Sequence, residues 1–248
     1  MTSTVRRGLV RAFATAAAVA GLASDAAAQA RVPWLPGELA SYEVRFGNLR
    51  VGQGHMKVVG LDTVRGRQAY RTEFRVKGGI PLYRVNSIMD SWIDTRTLSS
   101  LRHIQNFEQG GSDRERHWEI FPERATYQHK GEPEQPSVSQ PLDDGSFIYF
   151  IRTVPLVTGQ TYTFNRYFRP DRNPVTVRVL RREKVTVPAG TFNAVVVQPI
   201  IRTKGIFGED GQAEIWFSDD DRRIMLQMRS KLKFGSLNLF MTDYRPTG

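Results

Sequence analysis

Apolar and polar side chains alternate along most of this chain. Between Val175 and Val187 the valines share one parity, whereas threonine, arginine and lysine predominate on the other. Because successive side chains of a β-strand point to opposite faces, this pattern predicts a long strand with one apolar and one hydrated face. The same alternation recurs in residues 67–76 and 223–234. In total the pattern predicts about a dozen strands with short connections, which favours antiparallel neighbours.

Pro188, Ala189 and Gly190 separate this strand from a second β-branched run, residues 192–201. Proline fixes φ for the second position of a type I turn, and Gly190 can adopt the left-handed conformation that completes a bulged hairpin. The alternative is a ligand-binding loop, but turn chemistry accounts for every residue of the segment. We therefore predict a hairpin in which Pro188 and Gly190 have structural roles.

One region departs from the alternating pattern of the strands. Residues 131–141 are rich in proline and polar side chains, which predicts an exposed loop. After this loop either Asp143 or Asp144 can cap a helix, apolar side chains recur at helical spacing, and Pro155 ends the pattern. The segment therefore predicts one short helix, residues 144–153.

These elements predict a mainly β protein: a single antiparallel, strongly curved sheet or open β-barrel of about a dozen strands with one short helix. The helix should lie over or inside the sheet, with Phe147 and Ile151 facing the interior. Asp144 is a candidate cap, and Arg152 can pair with the helix dipole or with a buried carboxylate. About 220 residues suffice for one core, so residues 31–248 are predicted to form one domain.

Residues 1–28 have the plan of a secretory signal peptide. Arg6, Arg7 and Arg11 precede an apolar run of about a dozen residues, shorter than the roughly 20 that a spanning helix needs. Small residues precede the predicted cleavage point after Ala28, and cleavage after Ala30 is the alternative. No later stretch is apolar enough to cross a bilayer. The chain has no cysteine, which excludes a lipoprotein anchor and disulfides. We predict an exported, periplasmic protein that is not a lipoprotein.

The net charge narrows the choice of partners. The whole chain carries a formal charge of +10, and removal of residues 1–28 takes away three arginines and one aspartate, which leaves +8. Most such charges solvate the outer face of a sheet, and a second interpretation is attraction to anionic envelope surfaces. Nucleic acid is not a predicted partner, because the protein is exported and no nucleic-acid-binding motif is present.

No pattern in the chain points to catalysis. There is no Gly-x-Ser-x-Gly elbow, no His-Glu-x-x-His and no cysteine nucleophile. Glu115, His117 and Glu119 share one strand face and offer three metal ligands, but a hydrated, charged face is the stronger interpretation. Asp143 and Asp144 are adjacent carboxylates that could act as a catalytic acid and base. Helix capping explains one of them, and exposure to solvent explains the other. We therefore predict no catalytic residue, no metal and no cofactor.

The aromatic side chains suggest a cavity. A curved sheet with one short covering helix has a large concave surface, which is either packed solid or encloses an apolar space. A space of lipid size is the hypothesis that gives the protein a ligand. The residues predicted to line it are Trp92, Trp118, Phe147, Ile151 and Trp216.

Five segments in a fixed order resemble a known bacterial family. They are GELASYEVRFGNLRVGQG, SWIDTRTL, DDGSFIYFIR, VPAGTF and EIWFSDDDRRI, and the resemblance covers residues 37–239. The family is DUF3108, a domain of unknown function in exported proteins. Its pattern has prolines where this chain has Ser100 and Met225, so the local turns are expected to differ. The resemblance implies an exported β-rich domain, similar to the open half-barrels of periplasmic lipoprotein carriers and receptors, and it implies no catalytic residues.

Three hypotheses of function follow. The first is a non-catalytic binding or carrier module for an apolar or amphipathic envelope molecule, such as a lipid. The second is an assembly factor that docks envelope proteins through an exposed sheet edge. The third is a hydrolase whose site is assembled from dispersed residues.

Overall fold

The computed structural model describes residues 29–80, 83–109, 112–202, 213–232 and 235–247, so the predicted signal peptide of residues 1–28 lies outside the described residues. The described chain forms fourteen β-strands and one α-helix. The strands are β1 (Leu39–Phe46), β2 (Leu49–Val64), β3 (Arg67–Ile80), β4 (Tyr83–Asp94), β5 (Ser100–Gln109), β6 (Ser112–Phe121), β7 (Thr126–His129), β8 (Gln135–Pro136), β9 (Thr161–Phe164), β10 (Val175–Val187), β11 (Gly190–Ile200), β12 (Ala213–Ser218), β13 (Met225–Leu232) and β14 (Gly235–Arg245). The helix α1 spans Asp144–Ile151, and single 3₁₀ turns occupy Pro122–Arg124 and Pro170–Arg172.

All fourteen strands belong to one antiparallel sheet that is not closed into a barrel. Its order is β8-β7-β6-β5-β4-β3-β2-β1-β14-β13-β12-β11-β10-β9, so the first and last strands of the chain pair in the middle. This confirms the predicted fold class. One strand, β8, lies within the segment predicted as a loop, because residues 135 and 136 pair with β7 there.

Irregular segments bridge the gap between the two edges of the sheet. Leu142 donates its N–H to the carbonyl of Arg166 at 2.5 Å, and Phe168 donates back to the carbonyl of Leu142 at 2.9 Å. The Ser137 hydroxyl donates to the carbonyl of Phe168 at 2.6 Å. Backbone groups near the edges are therefore satisfied without a continuous strand ladder.

The core follows the predicted alternation. The valines at positions 175, 177, 179, 185 and 187 are all buried, and they belong to one cluster that includes the apolar residues of α1. Each buried valine contributes about 1.5 kcal/mol or more relative to an exposed one. The alternation therefore selects which face of β10 turns inward.

Two facing glycines allow a close approach of the β2 and β3 backbones. Gly52 pairs directly with Gly78. A Cβ atom on Gly52 would lie 2.1 Å from the carbonyl oxygen of Lys77 and 2.4 Å from the Cα of Gly78. The backbones thus approach more closely than a side chain permits, which is a recognised use of glycine within strands.

The predicted hairpin between β10 and β11 is confirmed. Val187 pairs with Gly190, so Pro188 and Ala189 form the turn. Gly190 has φ +136°, which favours glycine but lies outside the narrow left-handed helical region predicted for it. Ala189 donates its N–H to the carbonyl of Met241 in β14 at 3.0 Å. This hydrogen bond links the β10–β11 turn to β14.

The helix lies near one end of the sheet, which we call the helix end. Arg152, after α1, contacts the carbonyl of Arg222 in the β12–β13 turn, and Arg166 contacts the carbonyl of Leu98 in the β4–β5 turn. Strands alternate in direction, so the β3–β4, β5–β6 and β13–β14 connections lie at the opposite end, which we call the far end. The helix therefore covers the inner face from one side.

Candidate binding site

A capping box begins α1. Asp143 is the N-cap residue, and its Oδ1 accepts hydrogen bonds from the N–H groups of Gly145 and Ser146 at 2.8 and 2.9 Å. The Ser146 hydroxyl accepts in turn from the Asp143 N–H at 2.8 Å. Each cap of this kind stabilises a helix by roughly 1 kcal/mol. Of the two candidate caps in the sequence, Asp143 has this role.

Serines of the sheet hold this cap in place. Ser91 in β4 donates from Oγ to Asp143 Oδ1 at 2.6 Å, and Ser100 in β5 accepts from the Asp143 N–H at 3.0 Å. A Cβ atom on Gly145 would lie 2.5 Å from Ser91 Oγ, so glycine is required where the helix meets β4. The N-terminus of α1 is therefore fastened to the inner face of β4 and β5.

His103 lies beside this cap but does not form a catalytic triad with it. Its Nδ1 is 3.0 Å from the carbonyl oxygen of Asp90, which can only accept, so Nδ1 is the donor of this hydrogen bond. The same nitrogen lies 3.3 Å from Ser91 Oγ and 3.4 Å from Asp143 Oδ1. In a triad the serine and the aspartate contact opposite nitrogens of the histidine. Here both contact Nδ1, so His103 is not placed to take the proton of Ser91.

Asp144 occupies the first turn of α1, where it accepts a hydrogen bond from the Tyr167 hydroxyl at 3.1 Å. Burial raises the pKa of its carboxyl above the usual value. His103 counteracts this increase, whereas the neighbouring Asp143 carboxylate adds to it. Asp144 thus contributes to the attachment of the helix rather than capping it.

A buried ion pair fastens the other end of the helix. Arg152 donates to the two carboxylate oxygens of Glu38 at 2.6 and 3.1 Å, and also to the carbonyl of Arg222 at 2.8 Å. The Tyr244 hydroxyl donates to Glu38 at 3.2 Å, and burial together with that carboxylate raises the pKa of Tyr244 to about 12. Trp34 lies under the Arg152 guanidinium, 5.5 Å from it. The predicted partner of Arg152, a buried carboxylate, is therefore Glu38.

The helix fills only part of the inner face. Phe147, Ile148 and Ile151 are fully buried in the core. The two ends of α1 are fastened to β4 and, through Glu38, to the start of β1, so the helix crosses the sheet and covers about 10–12 Å along each strand, the width of a helix with its side chains. The sixteen residues of β2, by comparison, span about 53 Å. The strands therefore extend well beyond the helix toward the far end.

Three rows of paired residues on the inner face of β3, β4, β5 and β6 show where this cover ends. The row beneath α1 consists of Thr72, Ser91, His103 and Trp118. The second row, farther from the helix, consists of Phe74, Met89, Gln105 and Arg116. The third row consists of Val76, Ser87, Phe107 and Arg114. The first three members of the row beneath α1 are buried. Met89, Gln105 and Phe107 are half-buried, and both arginines are exposed. The inner face thus becomes progressively accessible away from the helix.

Comparison with known proteins assigns this domain to a family. A family model described as a protein of unknown function, DUF3108, matches residues 41–242. The chain belongs to the DUF3108 family. No curated protein matches it.

Three solved structures are similar to this DUF3108 domain to different degrees. A β-barrel-like protein of the unknown-function domain DUF1849 from Brucella abortus superposes with a TM-score of 0.55 at 11% identity, covering 88% of this chain and 100% of that one. A candidate lipoprotein from Parabacteroides distasonis gives 0.36 at 9%, covering 86% and 98%. A candidate exported protein with a YmcC-like fold from Bacteroides fragilis gives 0.30 at 9%, covering 88% and 100%. The first of these supports a barrel-like fold for the DUF3108 domain.

The five residues predicted to line a cavity occupy different surroundings in the DUF3108 domain. Phe147 and Ile151 are buried in the core, and Trp118 stacks on His103 with ring centroids 5.4 Å apart. Trp92 follows Ser91 and therefore points away from the helix, where its Nε1 donates to Asp62 at 2.7 Å. Trp216 donates to Glu183 at 2.6 Å. Three of the five thus share the helix side, while both remaining tryptophans bind carboxylates.

Two clefts of about 300 and 290 Å³ open on the described surface. One is lined by His117, Glu119 and Lys130 among others, and the second by Phe192 and Tyr244 among others. None of the five predicted cavity residues lines either cleft. Within the described ranges, no three metal-ligating side chains cluster, and no helix is long and apolar enough to span a membrane.

Several site residues have no local signature in the sequence. Glu38 is separated from Arg152 by 114 positions, and Ser91 from Asp143 by 52. Nothing near either residue identifies its partner. Arg114 and Arg116 are different, because they share the parity of Trp118 and therefore its strand face. This shared parity is the feature of the sequence from which two arginines on the inner face could have been predicted.

Proposed function

We propose that this DUF3108 domain is a non-catalytic binding module of the cell envelope that holds the apolar part of an amphipathic molecule. The binding surface is the inner face beyond α1, around Met89 and Phe107. The envelope part of the proposal rests on the predicted signal peptide, and the non-catalytic part on the geometry of His103.

The observation that carries this proposal is the end of the helix cover. Phe74 and Val76 are buried, whereas Met89 and Phe107 in the same two rows are only half-buried. An apolar chain laid along these rows would remove the remaining exposed area from water, at about 25 cal/mol for each Å². Small-molecule sites are typically lined by apolar side chains together with a few polar groups that orient the ligand.

Docking through a sheet edge has less support. The edge strands β8 and β9 contain two and four residues, and Pro136 in β8 lacks the N–H that an added strand would need.

A hydrolase also has less support. Ser91 is buried, and His103 is not oriented to take its proton.

A neutral fluorescent monoacylglycerol tests the proposal. We expect saturable binding by the folded protein, weakened about tenfold or more by Phe107→Ser, since this change removes most of the apolar contact. Asn106→Ser is the matched control, because Asn106 is the exposed neighbour on the opposite face. Wild-type protein that takes up neither this probe nor any other acyl compound would refute the proposal.

A further inference from the structure

We infer that the ligand of this surface is an anionic amphiphile whose carboxylate or phosphate is bound by Arg114 and Arg116. The inference rests on the proposed function and adds the chemical class of the ligand. It depends on where these two arginines lie relative to the apolar rows, and on the charges around them.

The two arginines border the apolar surface directly. Arg114 pairs across the strands with Phe107, and Arg116 pairs with Gln105, which in turn pairs with Met89. Residues two apart on a strand lie on one face, about 7 Å from each other. A chain resting on Phe107 and Met89 would therefore bring its polar end within reach of both guanidinium groups.

The three rows themselves contain no acidic residue that could balance these charges. The twelve positions of the three rows include two arginines and no aspartate or glutamate. Among the side chains that the structure describes, neither Arg114 nor Arg116 forms an ion pair or a hydrogen bond. The local potential is therefore positive where the apolar surface becomes accessible.

Three arginines on the outer face of the same region, Arg65, Arg71 and Arg102, have acidic partners. Arg65 and Arg102 both bind Glu119, which lies on the opposite face of β6 from Arg116. Arg71 binds Asp90 on β4 at 3.2 Å. Arg114 and Arg116 face inward, away from these carboxylates. Guanidinium groups match the geometry of carboxylates and phosphates, which selects an anion as their ligand.

The test compares two ligands that share one acyl chain, a palmitate anion and neutral monopalmitoylglycerol, both below their critical micelle concentrations. Binding is measured by displacement of the neutral fluorescent probe. We expect wild-type protein to bind the anion about tenfold or more tightly, as expected for a charge-assisted hydrogen bond. The double variant Arg114→Gln/Arg116→Gln should lose this preference and keep its affinity for the neutral ligand.

A control variant separates specific recognition from net charge. Arg75→Gln/Lys77→Gln removes two positive charges from the opposite face of β3 and should keep the preference for the anion. Equal binding of both ligands by wild-type protein would overturn the inference but leave the proposed function standing. An unchanged preference in the Arg114/Arg116 variant would overturn the inference in the same way. Displacement of the probe by inorganic phosphate alone would also overturn it, because that result would indicate a site for free anions. Failure of both acyl ligands to bind would reject the proposed function as well.

Discussion

Replacement of Arg152 by methionine should destabilise the domain more than any surface substitution. Methionine retains the apolar length of the side chain but removes its charge, so Glu38 keeps only the hydrogen bond from Tyr244. Both members of the ion pair are almost completely buried, with 4% and 5% of their surfaces exposed. A buried carboxylate without its counter-ion is unfavourable, since the low-dielectric interior solvates it poorly.

The expected loss of unfolding free energy is about 3–5 kcal/mol, as found when one member of a buried ion pair is removed. Other contacts disappear with it, since Arg152 also donates to the carbonyl of Arg222 and lies over Trp34. Glu38→Gln should cost less than Arg152→Met, because the guanidinium then keeps its hydrogen bond to the carbonyl of Arg222 and its contact with Trp34, whereas Arg152→Met leaves a buried carboxylate with one hydrogen bond. The double variant should therefore be much less destabilised than the sum of the two single variants.

Equilibrium unfolding in urea, followed by tryptophan fluorescence, measures these differences. With a slope of about 3 kcal/mol per molar urea, the midpoint of Arg152→Met should fall by about 1 M or more. Arg166→Met is a control, since this arginine binds carbonyl groups at the helix end but no carboxylate. A loss below about 1 kcal/mol, or additive losses in the double variant, would refute the account of this ion pair.

Two further predictions concern the close approach of β2 and β3 and the helix. Gly52→Ala should destabilise the domain by about 1–3 kcal/mol, because the new Cβ would collide with the Lys77 carbonyl; unchanged thermal stability would show that the strands separate freely. For Asp144, the raised pKa means that its contribution to stability is full below about pH 4 and is lost as the pH rises through the folded pKa. Asp144→Asn should therefore gain melting temperature relative to wild type between pH 4 and 7, and parallel melting profiles would contradict this.

Local patterns predicted much of the fold because their causes are local. The alternation of valines in β10 requires only that one face of a strand be apolar. The hairpin at Pro188 depends on the fixed φ of proline and on the freedom of Gly190. The helix was predicted at residues 144–153 and is observed at Asp144–Ile151, since its cap and apolar spacing lie within one short segment. The observed end comes two residues earlier, where Arg152 turns its side chain to Glu38.

Prediction of the site was less complete, because strand parity identifies two faces without saying which one the helix covers. Trp92 and Trp118 are both aromatic strand residues, yet Trp118 lies beside His103 and Trp92 lies on the opposite face. A slip of one residue exchanges the faces of a strand, and only the pairing of the whole sheet settles that register.

The sequence by itself determined the fold class, the hairpin at Pro188 and the position of the helix, because these depend on side chains that are neighbours along the chain. Only the tertiary structure decided that Arg152 pairs with Glu38, and that Ser91 and Ser100 fasten the cap of α1. It also brought Arg114 opposite Phe107 and left that row beyond the helix. These contacts join residues far apart in the sequence, so their energies depend on how the sheet is paired and curved rather than on any local pattern.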